Sequence, residues 1–206
     1  MARISKAVLI SGCSTGIGRA TAEHLARRGW TVYATARNPD ALADLERVGC
    51  NVLALDVTNE DSIAAAVEVV ERAEGAIGVL VNNAGYSQSG SVESIPLDSV
   101  RRQFETNVFG LVRLCQLALP GMRRQGSGRI VNIGSMGGKL TFPDGGVYHA
   151  SKYAVEALSD ALRFEVRGFG VHVSLVEPGL IRTHFAEAAG GALPVLDKSD
   201  PYAAFN

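Results

Sequence analysis

The chain predicts a single α/β domain built on a doubly wound parallel sheet of six strands. Three observations carry this. Short apolar runs alternate with helical patterns from Ala7 to Val176. The runs are apolar at nearly every position, which suits strands covered on both faces. Every polar motif falls at the carboxyl end of a run or just after it, where ligands bind in open parallel sheets. Right-handed crossovers reduce the remaining topologies to the doubly wound one.

Taken in order, Ala7–Ser11 reads as a buried strand and Ile17–Arg28 as the helix that follows, ended by Gly29 as its C′ residue. Thr31–Ala36 is a second strand, rich in β-favouring residues. Pro39–Val48 reads as a helix and Asn51–Val57 as a third strand. Thr58-x-x-Asp61 resembles a capping box and opens a helix that runs to about Glu74. Ile77–Asn82 is a fourth strand. Two helical stretches, Leu97–Thr106 and Val108–Met122, precede a fifth strand at Arg129–Ile133. A long helix spans Val147–Arg167, and a sixth strand, His172–Val176, stops at Pro178-Gly179.

At 206 residues, 47% hydrophobic and 20% charged, the chain can bury a core without staples, so one domain is the default. A net charge of −1 with mixed signs excludes a nucleic-acid footprint and a polybasic membrane surface. Cys13, Cys50 and Cys115 are odd in number and lack metal-type spacing, so they read as reduced thiols and no metal site is expected. The apolar run Ala7–Ile10 is too short for a secretory core or a membrane span, which favours the cytoplasm.

The first strand runs into Ser11-Gly12-Cys13-Ser14-Thr15-Gly16-Ile17-Gly18 and then a helix. Glycines there permit a tight turn and close approach to a pyrophosphate, and the free N–H groups of the helix start face negative charge. Ser14 and Thr15 add hydroxyl donors. A glycine-rich turn without a ligand is the plainer reading, and the strand-before, helix-after context argues against it. The spacing G-x-x-x-G-x-G resembles the short-chain dehydrogenase/reductase family, with Ser11 in the place of the usual Thr. The resemblance implies a Rossmann-like fold and runs from about Lys6 to Thr183.

Further motifs follow in the family's order. The second strand ends Ala36-Arg37. Members that prefer NAD carry Asp where Ala36 stands, and an Arg37 guanidinium suits a 2′-phosphate, so NADP(H) is expected over NAD(H). The resemblance sets Asp56 against the adenine amino group and Val57 beside its ring; by itself Asp56 is equally a structural acid. Asn82-Asn83-Ala84-Gly85 ends the fourth strand, with Asn82, Ala84 and Gly85 expected to line the cofactor and the Asn amides to tie strand ends together. The turn Pro178-Gly179 with Ile181 and Thr183 is assigned by the resemblance to the nicotinamide carboxamide.

Four residues complete the family's reacting set: Asn107, Ser135, Tyr148 and Lys152. Tyr148 and Lys152 lie one helical turn apart on one face. A phenol with a pKa near 10 must lose about 3 pH units, or about 4 kcal/mol, to exchange protons near neutrality. One cation about 4 Å away at an effective dielectric of about 20 supplies about 4 kcal/mol. A lone Tyr-x-x-x-Lys is common in helices; its company here makes the difference. Ser135 is expected to steady a substrate oxygen. The resemblance gives Asn107 a water held on its backbone carbonyl, feeding a relay through Lys152; a helix-kinking Asn is the structural alternative.

The resemblance implies hydride transfer between NADP(H) and a small-molecule carbonyl or secondary alcohol; the strand Thr31–Arg37 and the turn Pro178–Thr183 look like those of members acting on steroids, retinoids or other hydrophobic ketones. A non-catalytic nucleotide sensor on the same fold and a sugar-nucleotide epimerase are the alternatives; the Tyr–Lys pair argues against the first, and the glycine spacing and Asn-Asn-Ala-Gly against the second. The family's homodimers pack through helices around Val108–Met122 and Val147–Arg167. Residues 187–206 read as an incomplete substrate loop, with the family's seventh strand missing, which puts tetramers in doubt and predicts a dinucleotide-binding chain of weak turnover.

Overall fold

The computed structural model describes residues 5–181 and 201–202. Six parallel strands, β1 (Ala7–Ile10), β2 (Thr31–Ala36), β3 (Asn51–Ala54), β4 (Val79–Asn82), β5 (Gly128–Ile133) and β6 (Val171–Val176), pair in the order β3-β2-β1-β4-β5-β6. The order reverses between β1 and β4, the switch point at which such sheets open a crevice. Helices α1 (Gly16–Arg27), α2 (Ala43–Arg47), α3 (Glu60–Glu74), α4 (Leu97–Phe104), α5 (Gly110–Gln125) and α6 (Gly146–Glu165) fill the crossovers.

Alternation along each strand divides the core in two. Leu9, Leu80, Ile130 and Val173 point to the face covered by α3, α5 and α6, where they join Ile63, Val70, Leu114, Met122 and Val155. Val8, Ile10 and Val81 point to the other face, against Ala22, Leu42 and Leu45 from α1, α2 and the turn before α2. This second layer thins toward β6. Val131 and Ile133 are half-buried beside their register partners Ser174 and Val176, which are exposed along with His172. Among the described residues nothing covers that end of the sheet.

Several boundaries differ from the sequence reading, each for a local reason. The cap of α3 is Asn59, whose Oδ1 accepts from Ser62 N at 2.9 Å, and not Thr58. Thr58 is drawn instead onto Asp56 Oδ1, through its N–H at 2.9 Å and its hydroxyl at 2.8 Å. β3 stops at Ala54, so Asp56 and Val57 belong to the following turn. Residues 39–42 form a 3₁₀ turn ahead of α2, with Pro39 at its start and Asn38 accepting from Asp40 N. The two helical stretches around Asn107 are continuous: a π-helical turn, Glu105–Phe109, joins α4 to α5. Gly29 does end α1 as expected, with φ 79° and its N–H on Ala26 O. No helix among the described residues is long and apolar enough to cross a membrane.

Candidate active site

The crevice begins where the loops after β1 and β4 meet. Gly12 adopts φ 73°, a conformation in which a side chain is strained. A Cβ there would also lie 2.8 Å from Ala84 Cα. Gly18 is required for a different reason: its Cβ would sit 2.4 Å from Asn83 Nδ2 and 2.5 Å from Gly12 O. Asn83 Nδ2 donates to Ser11 O and Gly12 O, both at 2.9 Å. Ser11 Oγ accepts in return from Asn83 N and Ala84 N, both at 3.0 Å. Two loops distant in sequence are therefore stitched through one amide and one hydroxyl, and the glycines are the space the stitch occupies.

Ser14 and Thr15 are exposed on this turn, while Gly16 and Ile17 are half-buried. Thr15 makes no side-chain cap, and the first turn of α1 holds no acidic residue. The N–H groups opening α1 are thus offered to a ligand, and they sit at the positive end of the helix dipole. The donors, the lack of an acidic residue in the first turn of α1 and the close backbone approach all fit a pyrophosphate.

Asn82 faces the other way. Its Nδ2 donates to Asn132 Oδ1 at 2.9 Å and to Cys115 Sγ at 3.4 Å, and Asn132 Nδ2 continues to Ser159 Oγ at 2.8 Å. The side chain expected at the cofactor is thus held inside the sheet, and the one that reaches the glycine turn is its neighbour Asn83. Arg37 is exposed beyond β2, close enough for its charge to help lower the Asp56 carboxyl below its ordinary value, behind the hydrogen bond from Thr58 N. Val57 packs on Gly110, whose Cβ would lie 2.8 Å from Val57 Cβ. Pro178 O accepts from Met136 N at 2.9 Å, tying the Pro178-Gly179 turn to the loop that carries Ser135; Ile181 is exposed, and Thr183 lies outside the described residues.

The four reacting candidates converge. Ser135 follows β5, and its Oγ accepts from Gly137 N at 3.0 Å and is hydrogen bonded to the Tyr148 hydroxyl. Tyr148 and Lys152 lie on the first turns of α6, with Lys152 Nζ 5.9 Å from the Tyr148 ring centre. Asn107 sits in the π-helical turn; its Oδ1 accepts from Tyr86 N at 3.1 Å, and its Nδ2 donates to Tyr86 O at 3.0 Å and to Ser151 Oγ at 3.1 Å. Ser151 Oγ donates to Tyr148 O at 2.6 Å. Gly85 closes the cluster: a Cβ there would lie 3.1 Å from Asn107 Oδ1 and 3.8 Å from Lys152 Nζ.

The electrostatics depart from the expectation that Lys152 acidifies Tyr148. Burial holds the phenol above its ordinary value of 10, and the Ser135 hydrogen bond pulls it back only in part. Lys152 is 6% exposed, and burial pushes its ammonium down from 10.5 to about 8. Its Nζ donates to Ile133 O at 2.8 Å. Desolvation, which disfavours the charged form of each group, is the largest cause of both shifts.

Several contributing residues gave no sequence signal. Gln103 is fully buried, with Oε1 accepting from Gln88 N and Nε2 donating to Tyr86 O, each at 2.7 Å. His149, 6% exposed, accepts from Phe142 N at 3.2 Å through Nδ1 and packs edge-on to Phe142 and Tyr148. Glu156, one turn beyond Lys152, takes a 2.6 Å ion pair from Lys139 beneath the Ser135 loop.

The sequence profile of the short chain dehydrogenase family matches residues 6–192. A 3-ketodihydrosphingosine reductase of Bacteroides thetaiotaomicron is 42% identical over 181 residues, 87% of this chain and 65% of the reductase. Human 17-beta-hydroxysteroid dehydrogenase type 1 is 41% identical, over 94% of this chain and 62% of its own length. The chain thus spans somewhat less than two thirds of both relatives. Among solved structures, the closed form of a serine dehydrogenase complexed with NADP+ superposes with a TM-score of 0.86 at 31% identity, covering 90% of this chain and 77% of that one. A Burkholderia phymatum short chain dehydrogenase/reductase in complex with NAD superposes at 0.85 with 29% identity, over 100% of this chain and 77% of that one. With a family profile spanning most of its length laid over a six-stranded sheet in matching order, this chain belongs to the short-chain dehydrogenase/reductase family.

Proposed function

We propose that the chain is an NADP(H)-dependent oxidoreductase that interconverts a hydrophobic ketone and its secondary alcohol. The observation that carries the reading is the convergence of Ser135, Tyr148 and Lys152 beside the loop Ala84–Tyr86, which is itself stitched to the glycine turn. A bound nicotinamide would supply or accept the hydride. In the direction of reduction, Ser135 Oγ holds the substrate oxygen and Tyr148 Oη delivers its proton. Lys152 is held by Ile133 O at the rim of the same space, where its ammonium favours phenolate and can hand on a proton, and the neutral amine can take one up. Asn107, with its side-chain amide fully engaged, contributes through its main chain.

Preference for NADP(H) is supported by exposed Arg37 after β2 and by Ala36 in place of an acid; the relatives themselves include NADP and NAD complexes. A lipophilic substrate is supported by the exposed side chains around Tyr148. Phe142 packs on His149, Val92 lies 3.3 Å from the Cβ position of Gly146 at the start of α6, and Leu140 stands on the intervening loop. Two relatives are named for a ketosphingoid and a hydroxysteroid. Homodimers through α5 and α6 remain our expectation for assembly, with Phe109 and Tyr153 exposed there.

The test follows absorbance of the reduced nicotinamide with a panel of lipophilic ketones, for native protein and Tyr148→Phe. Consumption that falls at least 100-fold in the variant, with NADPH affinity unchanged, is the expected result. Tight NADPH binding with no consumption sensitive to Tyr148 would overturn the reading in favour of a nucleotide-binding protein.

A further inference from the structure

We propose that Gln103 is a positioning residue which, with Asn107, fixes the height of the Gly85–Gln88 loop above Lys152 and so sets the working state of that lysine. The proposal rests on the oxidoreductase reading for its kinetic consequence and on geometry alone for its structural one. Gln103 and Asn107 stand one helical turn apart, on the last turn of α4 and in the π-helical turn. Both are polar, and both are all but inaccessible, at 0% and 2% exposed. A buried amide persists only where its donors and acceptor are satisfied. Here every partner of Gln103 is backbone of one loop: Gln88 N on its Oε1 and Tyr86 O on its Nε2. Asn107 grips the same loop at Tyr86, through both its N and its O, the carbonyl being shared with Gln103.

Together the two side chains act as a surrogate strand. The loop leaves β4 with no strand to pair with, and the amides supply the backbone partners it lacks. The register matters because the gripped loop begins at Gly85, whose Cβ position is 3.8 Å from Lys152 Nζ. Burial is the cause of that group's depressed pKa of about 8, and a loop drawn close would add to it by excluding water from the ammonium. The grip also runs onward, from Asn107 Nδ2 to Ser151 Oγ and from there to Tyr148 O, so loop and α6 are indexed to each other. Asn107 alone holds only Tyr86; without Gln103, Ser87 and Gln88 lose their anchor.

The experiment uses full-length protein, native and Gln103→Met. Lysine side chains labelled with carbon-13 at Cε are titrated by NMR without any ligand, and pH profiles of kcat/KM are measured with NADPH and 2-decanone. In the native chain Lys152 is expected to titrate near 8. In Gln103→Met its midpoint is expected to rise by at least one pH unit, the profile limb that reports it to move with it, and kcat to fall 10-fold or more while NADPH affinity stays within 2-fold. Should Gln103→Met not accumulate in folded form, Gln103→Asn reads the same quantity, because an amide one methylene shorter falls short of Gln88 N and Tyr86 O and adds no charge. Amide exchange adds a readout on native protein: Gln88 N–H must exchange slowly. An unmoved Lys152 midpoint in the folded variant, or fast exchange at Gln88, overturns the proposal. Native protein that binds NADPH and consumes none of it with any ketone would instead sink the oxidoreductase reading and leave the NMR result standing.

Discussion

Replacing Lys152 by Met should change how stability depends on pH, and the size follows from the site. Lys152 is 6% exposed and its pKa falls from 10.5 to about 8. Each pH unit of depression corresponds to about 1.4 kcal/mol, so keeping the ammonium inside the fold costs about 3 kcal/mol at neutral pH. The sign follows from proton counts. Between about 8 and 10.5 the unfolded chain holds the proton and the folded chain has released it, so stability rises with pH in that window. The gain is complete above 10.5, is lost progressively as pH falls from there, and is gone below about 8. Met keeps the bulk and removes the titration. Urea unfolding of native and Lys152→Met protein at pH 7, 8, 9 and 10.5 gives a difference in which shared titrations cancel. That difference should move by about 3 kcal/mol in favour of the native chain from the lowest pH to the highest. A difference flat to within about 0.5 kcal/mol would show that the ammonium is hydrated, and the desolvation account of the site would fail.

Other substitutions test other parts of the structure. Gly18→Ala forces a methyl to within 2.4 Å of Asn83 Nδ2; it should destabilise by about 1–3 kcal/mol in urea unfolding and abolish NADPH binding by fluorescence titration. Arg37→Ala should reduce NADPH affinity at least 10-fold and leave NADH affinity nearly unchanged; an NADH preference in the native protein would defeat the assignment of the 2′-phosphate to this residue. Asn132→Ala strips partners from Asn82 and Ser159 in a fully buried layer and should cost about 2–4 kcal/mol by urea unfolding, with cofactor specificity unaltered.

The parts of the molecule that obey local rules could be read before folding. The parallel sheet of six strands followed from apolar runs separated by helices, and the glycine turn announced itself because backbone geometry at Gly12 needs a residue without a side chain. What could not be read were groups whose role is set by partners far along the chain. Asn82 and Asn83 are adjacent and chemically identical, yet strand pleat sends one to Asn132 and the other to Ser11 and Gly12. Gln103 looks like any amide in a surface helix until the loop from Tyr86 to Gln88 folds over it. The Tyr148–Lys152 spacing located the pair, but their ionisation depends on burial, which spacing does not encode.

The π-helical turn at Glu105–Phe109 carries one residue more than an α-helical course would need. The wider turn absorbs that residue, so the helix resumes its course and Leu111, Leu114, Cys115, Ala118 and Met122 of α5 still reach the sheet. Excising one position there would let the turn close to an ordinary α-helical one with this oily stripe still facing inward, while Asn107 would lose the aim that sets its amide on Tyr86 and Ser151. The irregularity is thus a local device: a length change at this point should spare the hydrophobic interior and be felt at the site.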